Sequence, residues 1–197
     1  HAVGTNDPFL KVPLVQMHSR IDMRVVKCGM DYTLLFASHF MSNPIVYQAD
    51  SLRKMGQFSG ASHGKGVNYG SPNDVAEVAV RALVKPKDHH RIGYTLTGPA
   101  SITDERVAEL LSRKLNKKVE YVDKPLEAYK EAASPTDWGP NIDLAYLEYA
   151  KASGAEQALS FVSNHTEKVC GHPAETFEDY LNAEELMTPQ ELEYLKA

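Results

Sequence analysis

The sequence predicts an α/β fold that contains a parallel sheet. Segments with a helical spacing of apolar residues alternate with short strands, and the links between them are short. One of the strands, residues 32–37 (Tyr-Thr-Leu-Leu-Phe-Ala), is apolar without alternation, which is typical of a parallel strand covered on both faces. The 197 residues are enough for one domain with a buried core.

The first predicted helix begins near Pro13 and ends before Gly29. Its apolar residues recur at spacings of three and four, which predicts one buried stripe: Leu14, Met17, Ile21, Val25 and Cys28. The strand 32–37 follows it. Residues 38–55 are less regular and are expected to include a short helix. Five glycines between Gly56 and Gly70 predict a loop.

The second long helix is predicted to begin at Asp74 and to end before Pro86. Its expected buried face consists of Ala76, Ala79, Val80 and Leu83. Alternation predicts a strand over 92–96. Thr103 is a good cap for the next helix, whose expected buried face is Val107, Leu110, Leu111 and Leu115. A short strand is predicted over 118–123.

The last third of the chain is predicted to be mostly helical. Helices are expected over 126–133, from residue 140 or 141 onwards, and in short pieces near 176–182 and 189–195. No repeat and no low-complexity tract interrupts this pattern.

Charge and composition argue against several classes of partner. The chain has 21 basic and 26 acidic residues, with a net charge of −5 and no basic block, so nucleic acid is not expected to bind. No apolar run reaches the roughly 20 residues that a membrane span needs. Two widely separated cysteines and the lack of a signal-peptide pattern favour the cytoplasm.

Familiar catalytic and binding motifs are absent from the sequence. The glycine-rich stretch 60–66 lacks the Ser or Thr that follows the lysine of a phosphate-binding loop, so we interpret it as a loop without a phosphate role. There is no G-x-G-x-x-G, no G-x-S-x-G and no H-E-x-x-H, and no metal site is expected.

Two residues of the first helix have alternative interpretations. His18 borders the apolar stripe and is either a helix-boundary histidine or a residue that faces a pocket, where it could donate a proton or a hydrogen bond. Cys28 lies beside Lys27, which could lower the pKa of the thiol. Its place in the apolar stripe favours a buried, inert side chain instead.

The chain resembles the NmrA-like, atypical short-chain dehydrogenase/reductases over most of its length. The segments that carry this resemblance follow one another in the family's order: 30–43, 67–76, 94–99, 118–123 and 165–179. The most specific is Tyr-Thr-Leu-Thr-Gly-Pro over 94–99, followed by a capped helix and the strand 118–123.

The resemblance implies the C-terminal portion of a Rossmann-like, doubly wound sheet plus a smaller, mostly helical substrate lobe. Residues 1–197 are then a single incomplete NAD(P)-binding domain, with the lobe contributed mainly by 38–70 and 94–197. The half that holds the dinucleotide pyrophosphate would precede His1. NADP or NAD is the implied cofactor, a small molecule the implied substrate, and the N-terminal half a possible companion.

The resemblance also implies candidate site residues. In the helix that carries the Tyr-x-x-x-Lys pair of ordinary short-chain dehydrogenases, Leu14 occupies the tyrosine position and His18 the lysine position, so His18 is the candidate catalytic residue. Residues implied near the cofactor are Val3, Phe36, Ala37, Ser38, His39 and Phe40. The chain departs from the family at Phe36-Ala37, where Arg-Pro is frequent.

Three hypotheses about function follow. In the first, the protein formed by this chain and the implied N-terminal half is an NAD(P)H-dependent oxidoreductase that acts on a small carbonyl or quinone-like acceptor. In the second, that protein is a non-catalytic NAD(P)-binding redox sensor of the NmrA type. The third hypothesis is that the isolated chain is inactive because it lacks the main cofactor anchor.

Overall fold

The computed structural model describes residues 13–60, 62–125, 128, 160–183 and 193. The described helices are α1 (Pro13–Lys27), α2 (Asn43–Val46), α3 (Ala49–Met55), α4 (Pro72–Val84), α5 (Asp104–Leu115), α6 (His165–Cys170) and α7 (Phe177–Asn182). The described strands are β1 (Thr33–Ala37), β2 (His39–Phe40), β3 (Gln57–Gly60), β4 (Val67–Gly70), β5 (Ile92–Leu96), β6 (Ser101–Ile102) and β7 (Glu120–Asp123). None of the described helices is long and apolar enough to cross a membrane.

Parallel pairing dominates the strands, which confirms the predicted fold class. β1 pairs with β5, β2 with β4, and β3 with β7, all in parallel, whereas β4 and β6 are antiparallel. The parallel pairs are joined by helices, as this type of pairing requires. The fold is the α/β, Rossmann-like class that the sequence predicts.

The described core has two parts. The larger one lies between α5, α7 and the strands β3, β4 and β7, and its centre is formed by Leu52, Val107, Leu111, Leu115 and Leu181. The smaller one lies between α4, α6 and the β1–β5 pair, around Val78, Leu96 and Cys170. The predicted buried face of α5 is confirmed, and Thr103 caps that helix by accepting a hydrogen bond from Arg106 N at 3.2 Å.

Helix α1 has the predicted bounds, but its predicted stripe is not buried in the described structure. Met17 and Ile21 are exposed, whereas Val25 is half-buried. The interpretation of Cys28 as a buried residue is wrong, because the side chain is exposed and donates to Val25 O.

The predicted buried face of α4 is also wrong. The helix buries Asp74, Val78 and Ala82, whereas Val80 and Leu83 are exposed. Both faces carry apolar residues, so periodicity could not distinguish them, and packing against α6 and β1 selects the face.

The predicted loop over residues 56–70 contains two strands, β3 and β4. Its glycines permit close contact: a Cβ on Gly60 would lie 3.1 Å from the Tyr121 ring, and one on Gly66 would lie 2.7 Å from Ser101 Oγ. Glycine therefore allows close approach of neighbouring segments here, which is its other common role in strands.

Predictions in the last third fall partly outside the described residues. α7 confirms the helical piece near 176–182, and α6 was not predicted. The helices expected over 126–133, from 140 or 141 and over 189–195 lie outside the described residues, apart from single positions.

Candidate active site

The candidate site lies where β1 passes into β2 and changes its pairing partner. Ala37 is paired with Leu96 of β5, and two residues later His39 is paired with Tyr69 of β4. Between them, Ser38 N donates to Leu96 O at 3.0 Å. Several parallel strands thus end at one place, and ligands of open α/β sheets bind beyond the carboxyl ends of such strands.

Two glycines let the three segments approach one another here. A Cβ on Gly70 would lie 2.6 Å from Ser38 Oγ, and a Cβ on Gly98 would lie 2.3 Å from Tyr69 O. Any larger residue would push the segments apart. The glycine positions therefore set the geometry of the strand ends.

The Ser38 hydroxyl is buried at this crossing and has no hydrogen-bond partner among the described residues. A buried hydroxyl without a partner costs free energy, and native structures satisfy most such groups with protein, water or ligand. Ser38 is therefore a natural contact for a polar ligand group at the strand ends.

His39 lies next to Ser38 and is half-buried. Both ring nitrogens lie 3.5 Å from Asn43 Nδ2, and the ring meets Tyr69 edge-to-face at 5.3 Å between centroids. Burial lowers the pKa of His39 to about 4. The imidazole is therefore neutral at physiological pH, with one N–H donor and one acceptor nitrogen.

Tyr69 connects His39 to a buried carboxyl group. The Tyr69 hydroxyl donates to Asp104 Oδ1 at 2.5 Å, and both side chains are buried. On its other side the Tyr69 ring packs edge-to-face on Phe177 at 5.2 Å. Burial raises the pKa of Asp104, against the lowering effect of the hydrogen bond from Tyr69. These contacts fix the orientation of the ring that packs on His39.

A second group of polar side chains lies near Asp104, at the β3–β7 pair. The Tyr121 hydroxyl accepts from Ser62 N at 3.1 Å and donates to Asp123 Oδ1 at 2.8 Å. His63 Nδ1 lies 2.5 Å from Asp123 Oδ2. Burial raises the pKa of Asp123, but hydrogen bonds from His63 and Tyr121 outweigh it, and the net shift is downward. This group ties the turn between β3 and β4 to β7.

The N-terminus of α4 is engaged by the segment before α7. Ser71 accepts a capping hydrogen bond from Asn73 N at 3.0 Å and donates its own hydroxyl to the Glu175 carboxylate. Asp74 Oδ2 accepts from Glu175 N at 3.0 Å. Burial raises the pKa of Asp74. This helix end is therefore satisfied by the chain's own side chains.

The predicted site residues fall into three groups. The cofactor-side residues Phe36, Ala37, Ser38, His39 and Phe40 are brought to the strand ends. His18 lies exposed on α1, where it makes no hydrogen bond or ion pair to the described residues, and its catalytic role stays a prediction. Val3 lies outside the described residues.

Sequence reasoning missed Asn43, Tyr69 and Asp104. The only signal for Tyr69 is the Gly70-Ser71-Pro72 turn behind it, which marks a strand that ends before a capped helix. Asp104 directly follows the predicted cap Thr103, and that position marks it only as an acidic residue at the start of a helix. Its burial against Tyr69 depends on a contact 35 residues away in the chain.

One cluster outside the strand ends has side chains of types that bind metals. Glu77, Cys170 and His172 offer ligand atoms that all lie within 4.8 Å of one another. Glu77 is already paired with Arg81 at 2.7 Å and with His172 Nε2 at 2.9 Å. We interpret the cluster as an ion-pair group between α4 and α6, and the expectation of no metal site stays a prediction.

Sequence comparison finds relatives that are named as a reductase and a dehydrogenase. It is 34% identical over 162 residues to an NAD(P)H azoreductase of Xenophilus azovorans, covering 81% of this chain and 55% of the relative. It is 30% identical over 162 residues to an agroclavine dehydrogenase of Claviceps fusiformis, covering 78% of this chain and 54% of that protein. The chain spans about half the length of these relatives. No family model matches the sequence.

Structural comparison shows the same fold in several solved structures. An NADPH-dependent quinone oxidoreductase from Escherichia coli superposes with a TM-score of 0.70 at 21% identity, covering 90% of this chain and 62% of that one. A triphenylmethane reductase of Citrobacter gives 0.65 at 22% identity, with 87% and 60% covered. NmrA, a negative transcriptional regulator, gives 0.54 at 15% identity, with 83% and 55% covered.

The fold and the relatives define a Rossmann-like, NAD(P)-dependent class. Within it, the family expected from the sequence is confirmed: the chain belongs to the NmrA-like, atypical short-chain dehydrogenase/reductases.

Proposed function

We propose that the protein is an NAD(P)H-dependent oxidoreductase of the atypical short-chain dehydrogenase type that reduces a quinone-like or small carbonyl acceptor. The observation that carries this proposal is the strand-end site, where Ser38 and His39 lie beyond β1 at the change of pairing partner. The named activities of the relatives, which include reductases of azo compounds, quinones and triphenylmethanes, support the same class.

The strand-end residues fit the nicotinamide end of a bound NADP or NAD. The Ser38 hydroxyl, buried and without a partner among the described residues, would hold a polar group of the cofactor. Phe36, Ala37 and Phe40 would form the wall beside it. The bound dinucleotide supplies the hydride, and the chain orients the acceptor and excludes water.

His18 is proposed as the donor or orienting residue that replaces the lysine of ordinary short-chain dehydrogenases. Its exposure on α1 means that another part of the protein must cover it before it can act at the site. The His18→Ala variant tests this role, and unchanged rates would remove His18 from the mechanism.

A dinucleotide-binding N-terminal part is the proposed companion of this chain. Among the described strands, β1 pairs with β5 alone, so its other edge is open to a further parallel strand. The outer edge of β5 is already engaged, since Thr95 N donates to His165 Nδ1 at 2.9 Å. We also propose that residues 1–197 form a single incomplete domain, whose substrate lobe is contributed mainly by residues 38–70 and 94–197. The chain by itself is proposed to be inactive.

The alternative is a redox sensor of the NmrA type that binds NAD(P) without turning it over. Leu14 favours it, because leucine cannot supply the proton that the tyrosine of ordinary short-chain dehydrogenases supplies. The other proposed partners are small molecules, and the proposed location is the cytoplasm, with no nucleic-acid or membrane partner.

The experiment that separates these functions begins with native mass spectrometry of the purified protein, before and after denaturation. We expect a dinucleotide to be released and NADPH to be consumed with a panel of quinones. Dinucleotide release without turnover of any quinone would favour the sensor. A lone 21.9 kDa species without a dinucleotide that also consumes no NADPH would mean that the chain is inactive by itself.

A further inference from the structure

We propose that His39 is the residue that donates a hydrogen bond to the acceptor oxygen as it gains negative charge. This inference rests on the proposed oxidoreductase function and names the residue that would contact the acceptor in the same site. His39 lies at the strand ends: it follows Ser38 directly and is paired with Tyr69 at the carboxyl end of β4.

The surroundings of the His39 side chain suit a hydrogen bond to an oxygen acceptor. His39 is half-buried, so part of the residue is accessible to solvent while the ring is held by its neighbours. Its nitrogen-bearing edge faces the Asn43 side chain, with both nitrogens 3.5 Å from Asn43 Nδ2. A donor pair of this kind, an imidazole beside a carboxamide, matches an oxygen acceptor better than a cation or an apolar group.

The next step is the rigidity of the ring's support. Tyr69 packs edge-to-face on His39, and its hydroxyl is held by the buried Asp104 carboxyl group at 2.5 Å. Catalytic hydrogen-bond donors are effective when they are oriented before the charge develops. Tyr69 and Asp104 therefore act as positioning residues for His39.

The last step is the protonation state. Burial holds the pKa of His39 near 4, so the imidazole donates as a neutral N–H and does not transfer its proton to a substrate at neutral pH. A bound reduced nicotinamide would supply the hydride with its two electrons to the acceptor and would be left oxidised. The acceptor oxygen takes up the charge, receives the hydrogen bond from His39, and then takes a proton from water.

The test compares three variants of the full-length protein with menadione as acceptor. His39→Phe keeps the ring contact with Tyr69 and removes the donor, and we expect kcat to fall about 10²-fold with a small change in KM, the usual effect of losing one such donor. His39→Gln keeps an N–H donor and should retain most of that activity. His90→Gln is the control, because His90 lies at the opposite, amino-terminal end of β5 and should leave kcat unchanged.

A binding measurement distinguishes failure of this inference from failure of the proposed function. We expect 1-naphthol, a stable phenol that mimics the reduced acceptor, to shift the ¹⁵N resonances of His39 in the NMR spectrum and to leave those of His90 in place. If the wild type consumes no NADPH with menadione, the proposed function fails on its own. If His39→Phe retains kcat within threefold, or 1-naphthol leaves the His39 resonances unchanged, the inference is overturned.

Discussion

At the residue scale, the most informative group is the Tyr69–Asp104 pair. A carboxyl group that is 4% exposed and holds a buried hydroxyl is costly to ionise, and its pKa is accordingly raised by burial. Asp104 also begins α5, where a negative charge is favoured by the helix dipole. Burial therefore disfavours the ionised form of Asp104, whereas its position in the first turn of α5 favours that form.

Replacing Asp104 with alanine should leave the Tyr69 hydroxyl buried without its acceptor. We expect the free energy of unfolding to fall by about 1–3 kcal/mol, the usual cost of a buried unpaired polar group, measured by urea denaturation. Tyr69→Phe is the matched control, since it removes the hydroxyl together with its need for an acceptor. An Asp104→Ala variant as stable as the wild type would contradict the assigned hydrogen bond.

The raised pKa of Asp104 also predicts a pH dependence. The folded state binds this proton more tightly than the unfolded state, so the contribution of Asp104 to the free energy of unfolding falls as pH rises from about 3.9, the ordinary value, through the folded pKa. Asp104→Asn should flatten this decline in urea denaturation between pH 4 and 7. A wild-type profile identical in slope to that of Asp104→Asn would show that Asp104 does not titrate differently on folding.

At the element scale, the crossing of β1, β4 and the end of β5 depends on close backbone contact. Gly98 has no room for a side chain because the Tyr69 carbonyl oxygen, which is backbone, occupies that position. A flexible side chain could move aside, but a paired strand cannot do so without disturbing the ladder beside His39. The position of Tyr69, and with it the ring contact to His39, therefore depends on the absence of a side chain at Gly98.

Gly98→Ala is expected to lower the free energy of unfolding by about 1–3 kcal/mol, the typical cost of overpacking a close-packed site. It should also shift the NMR resonances of His39, because the strand that carries Tyr69 must move. Gly64→Ala is the control: Gly64 has a φ of +72° and nothing within 4 Å of an added Cβ. It should cost stability without moving the His39 resonances. Equal effects of the two variants on His39 would argue against a crossing held by Gly98.

At the scale of the whole molecule, two surfaces of the described structure are suited to association. Helix α1 exposes Met17, Ile21, Met23 and Val26, and β1 lies beside an open sheet edge. Exposed apolar faces and open strand edges favour association with other protein surfaces. The proposed N-terminal companion would pack on these two surfaces.

We expect residues 1–197, prepared alone, to self-associate through the exposed apolar residues of α1, and Ile21→Lys to increase the monomer fraction in sedimentation velocity experiments. Ile21 is 52% exposed, so the substitution removes apolar surface without opening the core. Gln16→Lys adds the same charge to the same helix at an exposed polar position and should have little effect. If both variants behave alike, charge and not the apolar face of α1 governs association.

How much could be predicted from the sequence depended on whether the signal was local. The bounds of α1, the strand before Ser38 and the buried face of α5 were predictable, because capping residues and apolar spacing act within a few residues. The face of α4 was predicted wrongly, since both of its sides carry valine, leucine or alanine and only a neighbour can choose between them.

The sequence by itself determined the class of the fold and the family, and it drew attention to the run Phe36–Phe40, which lies at the strand ends. The tertiary structure alone decided that the His39 ring contacts Tyr69 and that Asp104 is buried against the Tyr69 hydroxyl. It also decided that the glycine-rich segment 56–70 contains two strands and not only a loop. The physical reason is distance along the chain. Asp104 lies 35 residues from the hydroxyl it binds, and no local pattern encodes a contact that exists only after the strands have crossed.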